Sequence, residues 1–330
     1  MSYRQNIKIQ WFIAGLAVVL FAVKMFAWLL TDSALILGDA LESVVNIAAG
    51  LIGLYSLYLS AKPRDEDHPY GHGKIEFISA AIEGALIIFA GIMIIIESVG
   101  KFFDGSEIQS LMTGIYLIAF TAVVNYGIGI WAIRTAKRTK SPALQASGEH
   151  LLTDVYTTGG IILGLGAVKL TSIQSLDPVI AIAFAVFIVF NGTRIIRRAI
   201  AGIMDKADDQ LLDNVVSTLE QGRSEHWIDV HNLRVIKYGS VLHFDCHLTL
   251  PRYMNVVDAH QQVDLLEDVI RDEYGESTEM FVHIDACKPD MCEFCAVANC
   301  AIRKAAFKKQ IVWTPYNIRL NSQHQLEDEH

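Results

Sequence analysis

Glu42 and Asn46, and His150 and Asp154, each stand four residues apart inside otherwise apolar stretches. On a helix, that spacing puts both members of a pair on one face, one turn apart. An ionisable group at bilayer depth costs about 3 kcal/mol on insertion scales, so it normally faces a partner or a water-filled cavity. Two carboxylates, an imidazole and an amide oxygen form a four-ligand set compatible with tetrahedral Zn²⁺. Imidazole binds metal when neutral and carboxylates bind it when ionised, so metal and protons compete for the same atoms. Such competition is the physical basis for exchanging a metal ion against protons. Asp39, three residues before Glu42, shares its face and is a candidate accessory proton carrier. For a lone buried Asn or His, simple pairing between helices is the better explanation. Two such pairs in separate apolar stretches favour a metal.

Three further constellations lie outside the apolar stretches. The segment 65–72 packs Asp65, His68 and His72 among further acids, a set able to bind metal, although acidic loops are usually just solvated. His231, His247, His260 and His283 come from separate segments, with Asp285 two residues after His283. In a strand, residues two apart point the same way, so His283 and Asp285 can share an ion. Lastly, Cys287-x4-Cys292-x2-Cys295-x4-Cys300 is a four-thiol cluster. It suits a closed Zn²⁺ site, with an iron–sulfur cluster as the lesser option.

The elements that must position these groups begin with membrane spans. The chain has 330 residues, of which 52% are hydrophobic, and its mean hydropathy is positive. About 20 apolar residues cross a bilayer core, and six segments qualify: 7–30, 34–59, 75–99, 111–133, 151–170 and 179–196. The first lacks a signal-peptide cleavage pattern and is kept as a span. Arg4, Lys8, Lys62, Arg64, Lys74, Arg134, Lys137, Arg138, Lys140, Arg194, Arg197 and Arg198 all fall on one side of such a bundle. The positive-inside rule then places both termini in the cytoplasm of a multi-pass protein of the cell (inner) membrane.

After residue 198 the pattern becomes amphipathic. Segments 210–220 and 256–274 read as helices, and 231–238, 241–250 and 279–284 as strands. The expected architecture is a bundle of six transmembrane helices (1–204), a cytoplasmic α+β domain of αββαβ, ferredoxin-like order (205–287) and a polar, Cys-containing extension (288–330). Residues 206–287 carry 16 acidic against 6 basic side chains, which draws cations and argues against nucleic acid as a partner. All five cysteines (246, 287, 292, 295 and 300) fall in this cytoplasmic portion, where reducing conditions favour metal ligation over disulfides.

The segments DEDHPYGHGKIE (65–76), HLLTD (150–154), LDPVIA (176–181), MDKAD (204–208) and VHIDAC (282–287) together resemble the cation diffusion facilitator family. They resemble in particular its bacterial zinc/proton antiporters with a metallochaperone-like cytoplasmic domain, over roughly residues 10–287. The resemblance implies a transport site at Glu42, Asn46, His150 and Asp154, a loop site at Asp65, His68 and His72, and cytoplasmic sites at His231, His247, His260, His283 and Asp285. It also implies a homodimer locked by a charge pair, Lys74 with Asp205. The usual span-two pair is Asp-x3-Asp or His-x3-Asp, whereas this chain has Glu42-x3-Asn46. The site therefore carries one negative charge fewer than with Asp-x3-Asp. The tail beyond Cys287 has no counterpart in the basic family architecture.

The expectation is proton-coupled efflux of divalent metal, Zn²⁺ first, with Fe²⁺, Cd²⁺, Co²⁺, Ni²⁺ and Mn²⁺ as alternatives. Imidazole ligands favour Zn²⁺ or Cd²⁺ over the harder Mn²⁺. A membrane-anchored metal sensor is the rival class, and the titratable groups at bilayer depth weigh against it. An intramembrane metalloenzyme lacks support, because the HExxH motif is absent.

Overall fold

The computed structural model describes residues 2–104, 108–139, 142–238, 241–275 and 278–325. The chain divides into two compact units, Met1–Ser56 with Ile78–Ile200, and Leu57–Phe77 with Ala201–His330.

Six long helices dominate the first part of the chain: α1 (Ser2–Thr31), α2 (Ala34–Ser60), α3 (Ile75–Asp104), α4 (Leu111–Thr139), α5 (Pro142–Thr171) and α6 (Leu176–Ile203). Among the described residues, all six are long and apolar enough to cross a membrane. Each helix begins or ends beyond its apolar segment, because hydropathy marks bilayer depth and not helicity. For α5 the difference matters. It starts at Pro142, so His150 and Asp154 sit in the helix interior, not at a frayed end.

Every one of the six helices contributes to a common apolar core: Ala27, Leu35, Ile94, Ile118, Ile161 and Ala185 are all buried there. Small residues allow close approach, as is usual between helices in lipid. A Cβ added at Gly84 of α3 would lie 2.7 Å from Ile196 Cγ1 of α6 and 3.0 Å from the Gly192 carbonyl. Large apolar side chains such as Phe103, Leu163 and Leu170 stay exposed, as a lipid-facing surface requires. Asp177, the acid of LDPVIA, caps α2 from the start of α6. Its carboxylate accepts from Ser33 Oγ (2.6 Å) and the Ala34 amide (2.7 Å), satisfying orphan donors of a helix N-terminus.

The second unit contains α7 (Asp209–Gln221), β1 (Asp229–Tyr238), β2 (Val241–Leu250), α8 (Val256–Tyr274) and β3 (Thr278–Ala286). Strand order is β1-β2-β3, with β1 antiparallel and β3 parallel to β2. Asp208 of the MDKAD segment caps α7 by accepting from the Leu211 amide at 3.1 Å. Asn255 caps α8 in the same way. The apolar faces of both helices (Leu212, Leu219, Val263, Leu266) close over Phe244 and Leu248 of the sheet.

Residues 288–325 are not the polar tail that composition implies. Trp313 and Ile318 enter the same core. The Arg223 guanidinium lies 3.7 Å from the Trp313 ring centroid, and the Trp313 amide donates to Glu220 Oε1 at 2.6 Å. Met291, Phe294, Val297 and Ile311 of the same segment are buried with Ile228 in a second apolar cluster.

Candidate metal centres

Within the helical unit, α2 and α5 bring the two four-spaced pairs together. Asn46 Nδ2 donates to Asp154 Oδ1 at 3.2 Å, and His150 Nε2 lies 3.9 Å from the same oxygen. Glu42 is close enough to Asp154, Asp39 and Lys24 for their charges to act on it. Its Oε2 is buried and, among the described residues, receives no hydrogen bond. A buried carboxylate oxygen without a donor is expensive unless a cation or proton satisfies it. Glu42, His150 and Asp154 do not converge tightly on one point among the described residues.

Asp39 has partners of its own. The Lys24 ammonium of α1 lies 2.9 Å from Asp39 Oδ1 and also donates to Ser43 Oγ at 3.0 Å. Thr158 Oγ1 donates to Asp39 Oδ1 at 3.0 Å. Lys24 is absent from the sequence-based set of site residues. Its signal is a single cation in the middle of the first apolar stretch, the same kind of anomaly that marked Glu42.

The loop between α2 and α3 folds onto itself in the second unit. Asp65 Oδ1 accepts from the His68 amide at 2.7 Å and meets His68 Nδ1 at 2.9 Å. Its other oxygen lies 3.3 Å from His72 Nε2, so the three expected residues form one group. Gly71 makes the return possible: its φ of +87° lies in the region that side-chain-bearing residues rarely adopt. The hydrogen bond from His68 holds the Asp65 carboxyl below its ordinary range. Lys74, beyond the loop, reaches Asp205 Oδ2 at 2.8 Å and lies 4.6 Å from the Tyr238 ring centroid.

In the sheet, strand register builds the third group. His231 pairs with His247 and His247 with His283, so three imidazoles stand in a row across β1, β2 and β3. Asp285 reaches over this row. Its Oδ2 lies 3.0 Å from His247 Nδ1 and 3.4 Å from His231 Nε2, and its Oδ1 lies 3.6 Å from His283 Nε2. His231, His247 and Asp285 form the tight group. His260 does not join it; on α8 it lies 3.8 Å from Asp264. A register shift between His231 and Arg234, with Asn232 at φ +53°, bulges β1 directly beside the ligand row.

Behind His231 stands a layer that sequence reading missed. Asp229 Oδ2 lies 3.2 Å from His231 Nδ1, and the same carboxylate pairs with the buried His324 from the tail. Burial alone would raise the Asp229 carboxyl, yet the two imidazoles overcome it and hold the group well below the usual carboxylate range. A carboxylate behind a candidate ligand fixes its ring and leaves the other nitrogen for metal. The signal was local: Asp229 and His231 are two apart on one strand face.

The four thiols of the tail line one cavity of about 320 Å³, and all five cysteines are free. Burial pushes the fifth thiol, Cys246, up to about 12, as befits a core side chain.

A six-span bundle with polar residues at depth, joined to a small acidic α+β domain that clusters His and Asp, defines a membrane transporter of divalent cations. Comparison with known proteins agrees. The family model described as the cation efflux transmembrane domain matches residues 11–204, and that of the cation efflux protein cytoplasmic domain matches residues 207–287. An uncharacterised transporter of Synechocystis is 30% identical over 257 residues, covering 78% of this chain and 83% of the relative. Cation-efflux pumps FieF of Yersinia pestis and Yersinia pseudotuberculosis are 27% identical over 284 residues, 83% of this chain and 90% of theirs. The chain belongs to the cation efflux (cation diffusion facilitator) family, as an integral multi-pass membrane protein that moves divalent metal cations and is not an enzyme.

Proposed function

We propose that this protein exports Zn²⁺ from the cytoplasm in exchange for protons, working as a homodimer with both termini cytoplasmic in the cell membrane. The substrate ion binds Glu42, Asn46, His150 and Asp154. The observation that carries this reading is the buried, donorless Oε2 of Glu42 beside the Asn46–Asp154 contact. With Asp39 matched by Lys24, ionised Glu42 and Asp154 leave two negative charges, which equal the charge of the cargo.

Loading from the cytoplasm requires neutral His150 and ionised carboxylates. Once helix rocking opens the site outward, protonation of His150 and a carboxylate weakens the ligand set and releases the ion. Asp39, held by Lys24, serves as an accessory proton carrier only when that pair opens. In the cytoplasmic domain, Zn²⁺ at His231, His247 and Asp285, with His283 beside them, favours the transport-competent dimer; His260 joins only through a rearrangement or a second copy. Asp65, His68 and His72 form a loop site at the membrane edge, and Lys74–Asp205 locks this loop to the segment after α6. Imidazole in each set favours Zn²⁺ over Mn²⁺, and the FieF relatives are named as cation-efflux pumps without naming an ion.

The test is flux in proteoliposomes carrying a pH dye inside. Zn²⁺ should move protons in the opposite direction, Asp154→Ala should abolish both fluxes, and Cd²⁺ should compete better than Mn²⁺. Zn²⁺ movement without proton movement, or flux that survives Asp154→Ala, defeats the reading. Running Fe²⁺, Co²⁺ and Ni²⁺ alongside fixes the ion order.

A further inference from the structure

We propose that Cys287, Cys292, Cys295 and Cys300 hold an iron–sulfur cluster on the C-terminal segment. The first three follow the C-x4-C-x2-C spacing of plant-type [2Fe–2S] loops. The fourth follows after only four more residues, so one short segment supplies the full set of thiolates. All four line a single cavity of about 320 Å³.

A single ion and a cluster set different separations between the sulfurs. A tetrahedral Zn²⁺ about 2.3 Å from each thiolate draws the four sulfurs to about 3.8 Å from one another. Among the described residues, no three of these Sγ atoms lie within 4.8 Å of one another. A cluster, which distributes its thiolates over more than one iron, accommodates a wider arrangement.

The surroundings suit such a group. Apolar Ile228, Phe294, Val297 and Ile311 pack beside Cys295 and keep water from that side. Two backbone amides aim at sulfur: Arg252 N lies 3.5 Å from Cys287 Sγ, and Lys304 N lies 3.3 Å from Cys292 Sγ. Hydrogen bonds to sulfur are a recognised means of tuning such clusters. The Arg303 guanidinium staples the loop by donating to the carbonyls of Cys292 (2.8 Å), Cys295 (3.0 Å) and Val297 (2.5 Å). Arg252, Lys288, Arg303 and Lys304 also line the cavity. A [2Fe–2S]²⁺ core with four thiolates carries a net charge of −2, and these cations offset it.

The inference stands apart from the transport reading, and its readout does not involve flux. The full-length protein, purified anaerobically in detergent and incubated with ferric iron and sulfide, should release the four thiol protons and bind iron and acid-labile sulfide in equal amounts, about two of each per chain. It should gain visible charge-transfer absorption and, after reduction, an electron paramagnetic resonance signal. Cys292→Ser and Cys300→Ser should each lose most of that absorption, whereas Cys246→Ser should keep it. Hydrogen exchange in β1 and α8 separates lost ligation from lost fold. Binding of zinc alone without sulfide overturns the proposal, as does failure of the unaltered protein to take up iron and sulfide. A visible spectrum unaffected in both ligand variants also overturns it.

Discussion

The Lys24 ammonium and the Asp39 carboxylate form an ion pair of 2.9 Å between α1 and α2, with both side chains almost fully buried. The pair is tied to α5 through Thr158 and stands one turn from Glu42. It thereby links three helices at the depth where the candidate substrate ligands lie. Breaking a buried pair by removing one partner typically costs about 3–5 kcal/mol, because the other charge is left uncompensated. Lys24→Ala should therefore destabilise the protein by roughly that amount. The double variant Lys24→Met/Asp39→Asn should recover most of the loss, measured as thermal unfolding in detergent. A double variant no more stable than Lys24→Ala removes the pair as the cause.

Asn46→Asp replaces the amide that donates to Asp154 at 3.2 Å with a second carboxylate. Two carboxylates that close share a proton in the metal-free site. Metal binding then has to displace it, so about one additional proton should be released per Zn²⁺. Calorimetry in buffers of different ionisation enthalpy counts those protons. An unchanged count would show that Asn46 does not set the proton balance.

Asp229 makes the cytoplasmic domain sensitive to acid. Burial works against its charge, but His231 and His324 hold its carboxyl below the ordinary range. A carboxyl depressed on folding contributes stability that is complete above its unfolded value of about 4. That contribution fades as pH falls through the lower folded value. Asp229→Asn should cost about 1–3 kcal/mol at neutral pH by leaving its imidazole partners unsatisfied. Its melting temperature should then fall less steeply than that of the unaltered protein below pH 4. Parallel acid limbs in differential scanning fluorimetry would assign the acid sensitivity to another group.

The Lys74–Asp205 pair is partly exposed, with side chains 29% and 31% accessible. Burial opposes the lysine's charge, yet Asp205 and Tyr238 together raise it above its ordinary value. A raised lysine adds stability below its unfolded value of about 10.4 and loses it as pH climbs further, so the pair is intact at physiological pH. Exposed pairs are worth about 1 kcal/mol or less. Asp205→Asn should leave global unfolding nearly unchanged while hydrogen exchange in residues 62–74 accelerates. The reversal Lys74→Asp/Asp205→Lys should slow it again. Equal exchange in all three proteins would show that the pair does not anchor the loop.

Much of this protein is written locally. Helical spacing places Glu42 with Asn46 and His150 with Asp154 on single faces wherever the helices go, and hydropathy alone separates the six spans from the acidic domain. The grouping of Asp65, His68 and His72 is equally short-range, closed by one turn at Gly71. Lys24 was legible on the same terms, as a lone charge in an apolar run, and was overlooked because no second polar residue stood four away.

Other relationships had no local trace. Nothing near His324 announces that it will pair with Asp229, 95 residues earlier. Composition reads residues 288–325 as solvated, yet Trp313 and Ile318 dock them into the core. The four cysteines are countable in the chain, but their spread around one cavity is not. Sequence by itself determined the span number, the polar pairs and the ligand types, because helical period and transfer energy act over a turn or a span. Tertiary structure alone decided that Asp39 is held by Lys24, that His231, His247 and His283 stand in one row under Asp285, and that His260 does not. Cross-helix pairing and strand register depend on which distant surfaces pack together, and a one-residue slip in register would turn those imidazoles to the opposite face.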